Sequence, residues 1–199
     1  MILPIVVYGD PVLRKKCDSI DKKYPNLDKL IADMFETMYN AGGVGLAAPQ
    51  IGKAIRLFIV DTEPFASNED DEDDEEFTKE ERKQLKEFKQ VFINAEIIEE
   101  NGEDWKFNEG CLSIPRIRED VSRTSFVTVK YLDEQFKQHT ETFDGLIARV
   151  IQHEYDHIEG KLFTDRISPL RRKLLSGKLN DISKGKIRAD YKTKVYVAK

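Results

Sequence analysis

The stretch Gln152-His153-Glu154-Tyr155-Asp156-His157 constrains this chain more than any other, because one short segment carries both chemistry and apolar surface. A helical turn takes about 3.6 residues, so imidazoles four residues apart lie one above the other on a single face. Glu154 is swung about 100° to the flank of that face, where a carboxylate reaches a metal-bound water rather than the metal. The bare H-E-x-x-H pattern also fits an ordinary amphipathic helix with two partly exposed histidines. Counting back from His153 by helical steps puts Leu146, Arg149 and Val150 on or beside the histidine face, while Ile147 and Ile151 turn to the opposite side. A helix apolar on two faces belongs in the middle of a molecule. Asp144 is a suitable cap for its start and Gly160 for its stop.

The remaining segments supply what would surround such a helix. Asn26 can cap a helix whose apolar positions Leu27, Leu30, Ile31, Met34, Phe35 and Met38 fall at helical spacing, with Gly42 and Gly43 ending it. Residues 55–60 and 91–99 predict strands, and Asn101-Gly102 predicts a hairpin turn back towards Trp105 and Phe107. Residues 121–132 and 136–143 predict two more strands around Asp133-Glu134, with His139 facing solvent. Thr78 with Glu81 forms a capping box for a charged helix over 79–89, and Ser168-Pro169 opens a last helix through about Leu179. The expected class is α+β: antiparallel sheets packed around the central H-E-x-x-H helix, with an N-terminal and a C-terminal helix. At 199 residues and 40% hydrophobic content, one core and one domain, 1–199, are expected.

Charge is unevenly spread. Glu69 to Glu76 is an unbroken acidic run inside an insertion over about 66–89, which reads as a solvated loop. The segment over about 168–199 is basic, with Arg171, Arg172, Lys173, Lys178, Lys184, Lys186, Arg188, Lys192, Lys194 and Lys199 against Asp181 and Asp190. Such a tail is either a solvated helix or a surface that meets a phosphate backbone. The apolar start has no basic residues before it and meets Asp10 and Pro11, unlike a signal peptide, and no stretch approaches the ~20 apolar residues of a membrane span. A soluble, cytoplasmic protein without membrane contact and with reduced cysteines is expected.

A catalytic metal normally has three protein ligands and an open position, so His153 and His157 need one partner. A metzincin would have its third histidine at 163, which is Phe163, and no glutamate follows Glu159. Asp165, Asp181 and Asp190 stay formally possible. Upstream, Cys111 sits in the tight, uncharged turn Glu109-Gly110-Cys111-Leu112-Ser113-Ile114-Pro115 and is a soft donor, which makes the set Cys111, His153 and His157. A second loop of small residues, Gly43 to Gly52, ends in the amide Gln50, which can donate into a bordering site; it also fits a buried structural turn.

Three segments in order, Gly43-Val44-Gly45-Leu46-Ala47-Ala48-Pro49-Gln50, Glu109-Gly110-Cys111-Leu112-Ser113 and Gln152-His153-Glu154-Tyr155-Asp156-His157, resemble the signature motifs of peptide deformylases, type 1 in having Glu109-Gly110 before the cysteine. The resemblance runs to about Ile167; the acidic insertion and basic tail depart from it. It implies a hydrolase that removes the formyl group from the N-terminal formylmethionine of nascent polypeptides and releases formate. It implies one divalent ion per chain, ferrous iron natively, with zinc, nickel or cobalt as substitutes. Glu154 would move protons, and the Gln50 amide and Leu112 backbone N–H would hold the oxyanion. Gly43, Val44, Gly45, Leu146 and Val150 either line a methionine pocket or pack as core; Glu109 and Arg149 would border the site, and Glu109 with Arg123 is either a brace behind the cysteine turn or a surface pair. The basic tail stands outside the resemblance; if it is the surface that meets a phosphate backbone, rather than a solvated helix, the ribosome is its expected partner. A zinc endoprotease and a metal-stabilised interaction module are the rivals; the first lacks its downstream ligand, and the second needs a fourth protein ligand to close the site.

Overall fold

The structure is a computed structural model, and it describes residues 1–66 and 77–197; the acidic run Glu69 to Glu76 lies outside them. Strands β2 (Gly45–Ala47), β3 (Leu57–Asp61), β4 (Lys89–Cys111), β5 (Ile114–Leu132) and β6 (Gln138–Asp144) form one sheet in chain order, each antiparallel to its neighbours. Helix α1 spans Leu27–Asn40, α2 Glu63–Ala66, α3 Lys79–Glu87, α4 Gly145–Ile158 and α5 Pro169–Ser183.

The two faces of β2 and β3 explain why the uninterrupted run Leu57–Asp61 is buried throughout. Phe58 and Val60 join Ala47, Phe92 and the α4 residues Ala148, Val150, Ile151 and Ile158 in one apolar cluster. Leu57 and Ile59 point the other way, with Leu46, Val91 and Ile93, against Leu30, Ile31, Met34 and Met38 of α1. The strands are thus covered on both sides, and α4 contacts β2, β3, β5 and β6. Truncating a fully buried member such as Leu57 or Met34 to alanine would cost about 2–5 kcal/mol.

Several elements differ from the sequence reading, each for a physical reason. Asn101-Gly102 is no hairpin turn: β4 runs on to Cys111, and between Asn101 and Asp104 it gains one residue on β5, pairing Asn101 with Phe126 and Asp104 with Thr124. The left-handed backbone that a two-residue turn needs, φ +83° at Gly102, serves a β-bulge equally well. The hairpin closes instead at the cysteine turn, between β4 and β5. Asn26 stands before α1 in a left-handed conformation and makes no side-chain cap bond, and Asp144 likewise makes none at α4. Thr78 and Glu81 do form the capping box of α3, and Ser168 accepts from the Arg171 N–H at the start of α5. His139 is not simply solvated: it is hydrogen-bonded to Asp133 at 2.7 Å and stacked on Tyr131.

Helix α5 runs four residues past Leu179 and buries Leu179 and Ile182. The chain then returns beside its own start, where β7 (Thr193–Lys194) pairs with β1 (Ile5–Val6) in a small parallel sheet, a correction to an all-antiparallel arrangement. Two-residue strands carry no periodicity to read.

Candidate active site

Three structural devices converge on one cavity of about 390 Å³. Helix α4 presents His153 and His157; β4 ends in Cys111; the short β2 and the 3₁₀ turn after it bring Gly45 and Gln50 to the opposite wall. The donor atoms of Cys111, His153 and His157 all lie within 4.8 Å of one another, with Sγ 3.3 Å from His157 Nε2. One thiolate and two imidazoles form a donor set suited to a zinc- or iron-class divalent ion. Among the described residues no fourth His, Cys, Asp or Glu joins this group.

The imidazoles are oriented by what lies behind them. His153 Nδ1 is hydrogen-bonded to Glu109 Oε2 at 2.9 Å, which turns its other nitrogen towards the cluster. Glu109 also accepts from Arg123 Nε at 2.7 Å and Nη2 at 2.9 Å, and from Arg149 Nη1 at 3.0 Å. Burial opposes the charge on Glu109, but the hydrogen bonds of His153 and Arg123 outweigh it and hold the carboxyl well below the usual range. Arg123 reaches on to Asp156 Oδ2 at 2.8 Å, and Arg166 pairs with the same carboxylate. The sequence reading gave Asp156 no role although it lies inside the motif; its place directly before the second histidine was the available signal.

Glu154 is buried, and its Oε2 has no hydrogen-bond partner. Burial pushes its carboxyl up to about 7, against the pull of His153. The loop opposite approaches it closely: a Cβ on Gly45 would sit 2.4 Å from Glu154 Oε1, so only glycine fits there. Gln50 is locked by its Oε1 accepting the Ala47 N–H at 2.9 Å, which turns Nε2 into the site, 3.6 Å from Cys111 Sγ and 3.3 Å from Ser113 Oγ.

Gly43, Val44, Gly45, Glu109, Leu112, Arg149 and Val150 line the cavity. Leu146 does not: it is buried seven residues, about 10 Å along the helix axis, before His153, so sharing a face does not bring it to the site. Arg149 touches the wall, but its guanidinium is spent elsewhere, donating to Glu109, the Val121 carbonyl and the Trp105 carbonyl and lying 4.2 Å from the Trp105 ring centre. It is a strut between α4 and β4 rather than a free cation for substrate. Phe65, Phe107, Ala189, Asp190 and Tyr191 also line the cavity and were not anticipated.

The family model described as Polypeptide deformylase matches residues 2–173. A peptide deformylase of Flavobacterium johnsoniae is 59% identical over 199 residues, covering 100% of this chain and 98% of the relative, and one of Cytophaga hutchinsonii is 49% identical over 100% of both. Among solved structures, a peptide deformylase from Legionella pneumophila superposes with a TM-score of 0.76 at 38% identity, over 94% of this chain and 99% of that one. A Plasmodium falciparum peptide deformylase with bound inhibitor gives 0.73 at 30% identity, over 90% and 99%.

Proposed function

The chain belongs to the polypeptide deformylase family, and on that premise we propose that it is a metal-dependent enzyme acting on the N-terminal formylmethionine of nascent polypeptides. Removal of the N-formyl group is the family's reaction. The observation that carries the finer reading is the Cys111, His153, His157 cluster, with Cys111 and His153 in the cavity wall, and beside it the buried carboxylate of Glu154, whose Oε2 has no hydrogen-bond partner. We read residues 1–199 as one catalytic domain.

Cys111, His153 and His157 would hold a divalent ion, which when bound would supply Lewis acidity and lower the pKa of a water. Glu154 accepts the proton of the attacking water and passes it to the departing methionine nitrogen; its unpartnered oxygen is free to do so. Charge that builds on the formyl oxygen is met by the Gln50 amide, already locked by Ala47, and by the Leu112 backbone N–H. Loss of one such donor costs about 3 kcal/mol in the transition state. Gly43, Val44, Gly45 and Val150 form the apolar wall for the methionine side chain. Glu109, braced by Arg123 and Arg149, fixes the His153 ring.

Ferrous iron is the native ion on this reading because the family resemblance implies it; the thiolate and imidazole donors accept zinc, nickel and cobalt as well and do not themselves choose among them. Formate release from a formyl-Met peptide by enzyme purified without oxygen, with elemental analysis of the same sample, tests the reaction and the ion together. Glu154→Gln should retain the metal and lose roughly 10²–10⁴-fold in turnover; loss of metal would contradict the assignment. Substrates emerging from ribosomes support a cytoplasmic location, and no described helix is long and apolar enough to cross a membrane.

We also propose ribosome contact through the exposed basic residues of α5. Arg171 and Arg172 are paired with Glu119 and Asp165, whereas Lys173 and Lys178 are exposed. Because Leu179 and Ile182 are core residues, charge reversal is a cleaner test than truncation. Lys173→Glu with Lys178→Glu should weaken ribosome binding several-fold at low salt and less at high salt, with activity on free peptide unchanged; binding at wild-type strength would remove the proposal.

A further inference from the structure

The two ends of the chain meet beside the cysteine turn. Ile5 and Val7 donate their N–H groups to the carbonyls of Lys192 and Lys194, and the next residue, Tyr8, donates to the Ser113 carbonyl at 2.8 Å. Just before β7, Ala189, Asp190 and Tyr191 line the cavity, and the Tyr191 hydroxyl donates to the Leu112 carbonyl at 2.6 Å. Successive carbonyls of the turn that carries Cys111 are therefore gripped from two sides, one by the N-terminal segment and one by the tail. Tyr191 lies beyond residues 2–173, so the family match assigns it nothing.

The grip bears on chemistry through backbone geometry. A backbone N–H serves as an oxyanion donor only if it is already aimed at the position where charge develops. The Leu112 N–H and C=O belong to two peptide planes joined at one Cα, and rotation about that atom swings both. Fixing the carbonyl anchors one of the two planes, so the N–H turns only relative to a held neighbour instead of with a loose turn. The Tyr191 ring packs with Leu112 against the cluster of Ile5, Leu46 and Met38, which holds the hydroxyl in place. Burial raises the Tyr191 hydroxyl above its ordinary range, so it stays protonated and remains a donor across neutral pH.

We propose that Tyr191 is a positioning residue of the deformylation site, its hydroxyl pinning the Leu112 carbonyl and thereby aiming the Leu112 N–H at the formyl oxygen. This rests on the reading of Leu112 as an oxyanion donor. It also makes the tail part of the site's architecture, in addition to any role it has on the ribosome.

Tyr191→Phe keeps the ring and removes the pin. On a formyl-Met peptide, kcat should fall about fivefold with KM and metal content unchanged, the loss expected of one neutral hydrogen bond. Amide hydrogen exchange in the segment containing Leu112 should quicken by a similar factor. Wild-type kcat together with wild-type exchange would overturn the proposal, as would a lowered melting temperature with kcat intact. Faster exchange with unchanged kcat would mean that the pin exists but Leu112 is not an oxyanion donor, which overturns both the proposal and that part of the proposed function. If the unmodified enzyme releases no formate, the functional reading fails by itself, and exchange in the Leu112 segment still decides whether Tyr191 pins the turn.

Discussion

Cys17 and Cys111 both lie against α4, and a comparison of their surroundings shows how one helix makes a reactive region and an inert one. Cys17 meets the helix at its end: its N–H donates to the Ile158 carbonyl at 2.8 Å, and its side chain is 4% exposed among Phe58, Ile151 and Ile158. Its Sγ has only the Lys15 carbonyl, 3.8 Å away. Cys111 meets the helix at its histidines and opens onto the cavity. Each region contains an arginine–carboxylate pair, Arg56 with Glu159 in the first and Arg123 with Glu109 in the second. The difference is the use of the carboxylate. Glu109 turns one oxygen to His153, whereas Glu159 is shared between Arg56 and Lys16 and holds no imidazole. A buried ion pair becomes part of a site only when a ligand-bearing ring hangs from it.

The sharpest way to break the comparison is to remove each sulfur. Cys111→Ser should lose metal and slow formate release by roughly 10³-fold, the several kcal/mol that a Lewis acid contributes. Cys17→Ser should keep both and lose only about 1–3 kcal/mol of stability, because it buries a hydroxyl without a good partner. Elemental analysis and denaturant titration on the two variants check this. Equal metal content in both would remove Cys111 from the ligand set.

That contrast also marks what the sequence could convey. The Cys111, His153, His157 cluster was legible because H-E-x-x-H fixes two donors by helical periodicity and Cys111 stands out upstream as a soft donor in a tight, uncharged turn. The buried strand over Leu57–Asp61, the α3 capping box and the α5 start were legible because each rests on local patterning. Three things were not. The Asn101-Gly102 bulge was mistaken for a turn because the same backbone conformation serves both. Leu146 was assigned to the pocket because periodicity gives the face of a helix and not the distance along it. The tail's return to β1, with Tyr191 in the cavity wall, depends on contacts across nearly the whole chain, which no local pattern records.

The arginines sharpen the comparison next. Arg123→Met leaves Glu109 and Asp156 short of a buried partner, and should cost about 3–5 kcal/mol and loosen the metal as His153 loses its orientation. Arg56→Met frees Glu159, which is partly exposed and keeps Lys16 at 3.5 Å, so it should cost about 1–3 kcal/mol and leave metal content alone. Chemical denaturation with metal analysis separates them. Equal loss of metal would mean that the brace behind His153 has no special role.

Thiol labelling gives the smallest difference. Burial pushes the Cys17 thiol up to about 11, with the Arg56 charge pulling the other way. Its thiolate fraction at pH 8 is then about one in a thousand, against about a quarter for an ordinary cysteine. The greater nucleophilicity of the more basic thiolate recovers about tenfold of that deficit, which leaves a slowing of roughly 20-fold from the raised pKa alone, and the burial of the sulfur adds to it by restricting access. A raised thiol pKa means that labelling must climb with pH and level off only near 11. In chelator-treated protein alkylated at pH 8, Cys111, open to the cavity, should therefore be modified first, with Cys17 following at the slow rate. Peptide mapping over a pH series reads both sites at once. If Cys17 levels off near pH 9, or matches its denatured rate, its surroundings are not the apolar, unpartnered ones that distinguish it from Cys111.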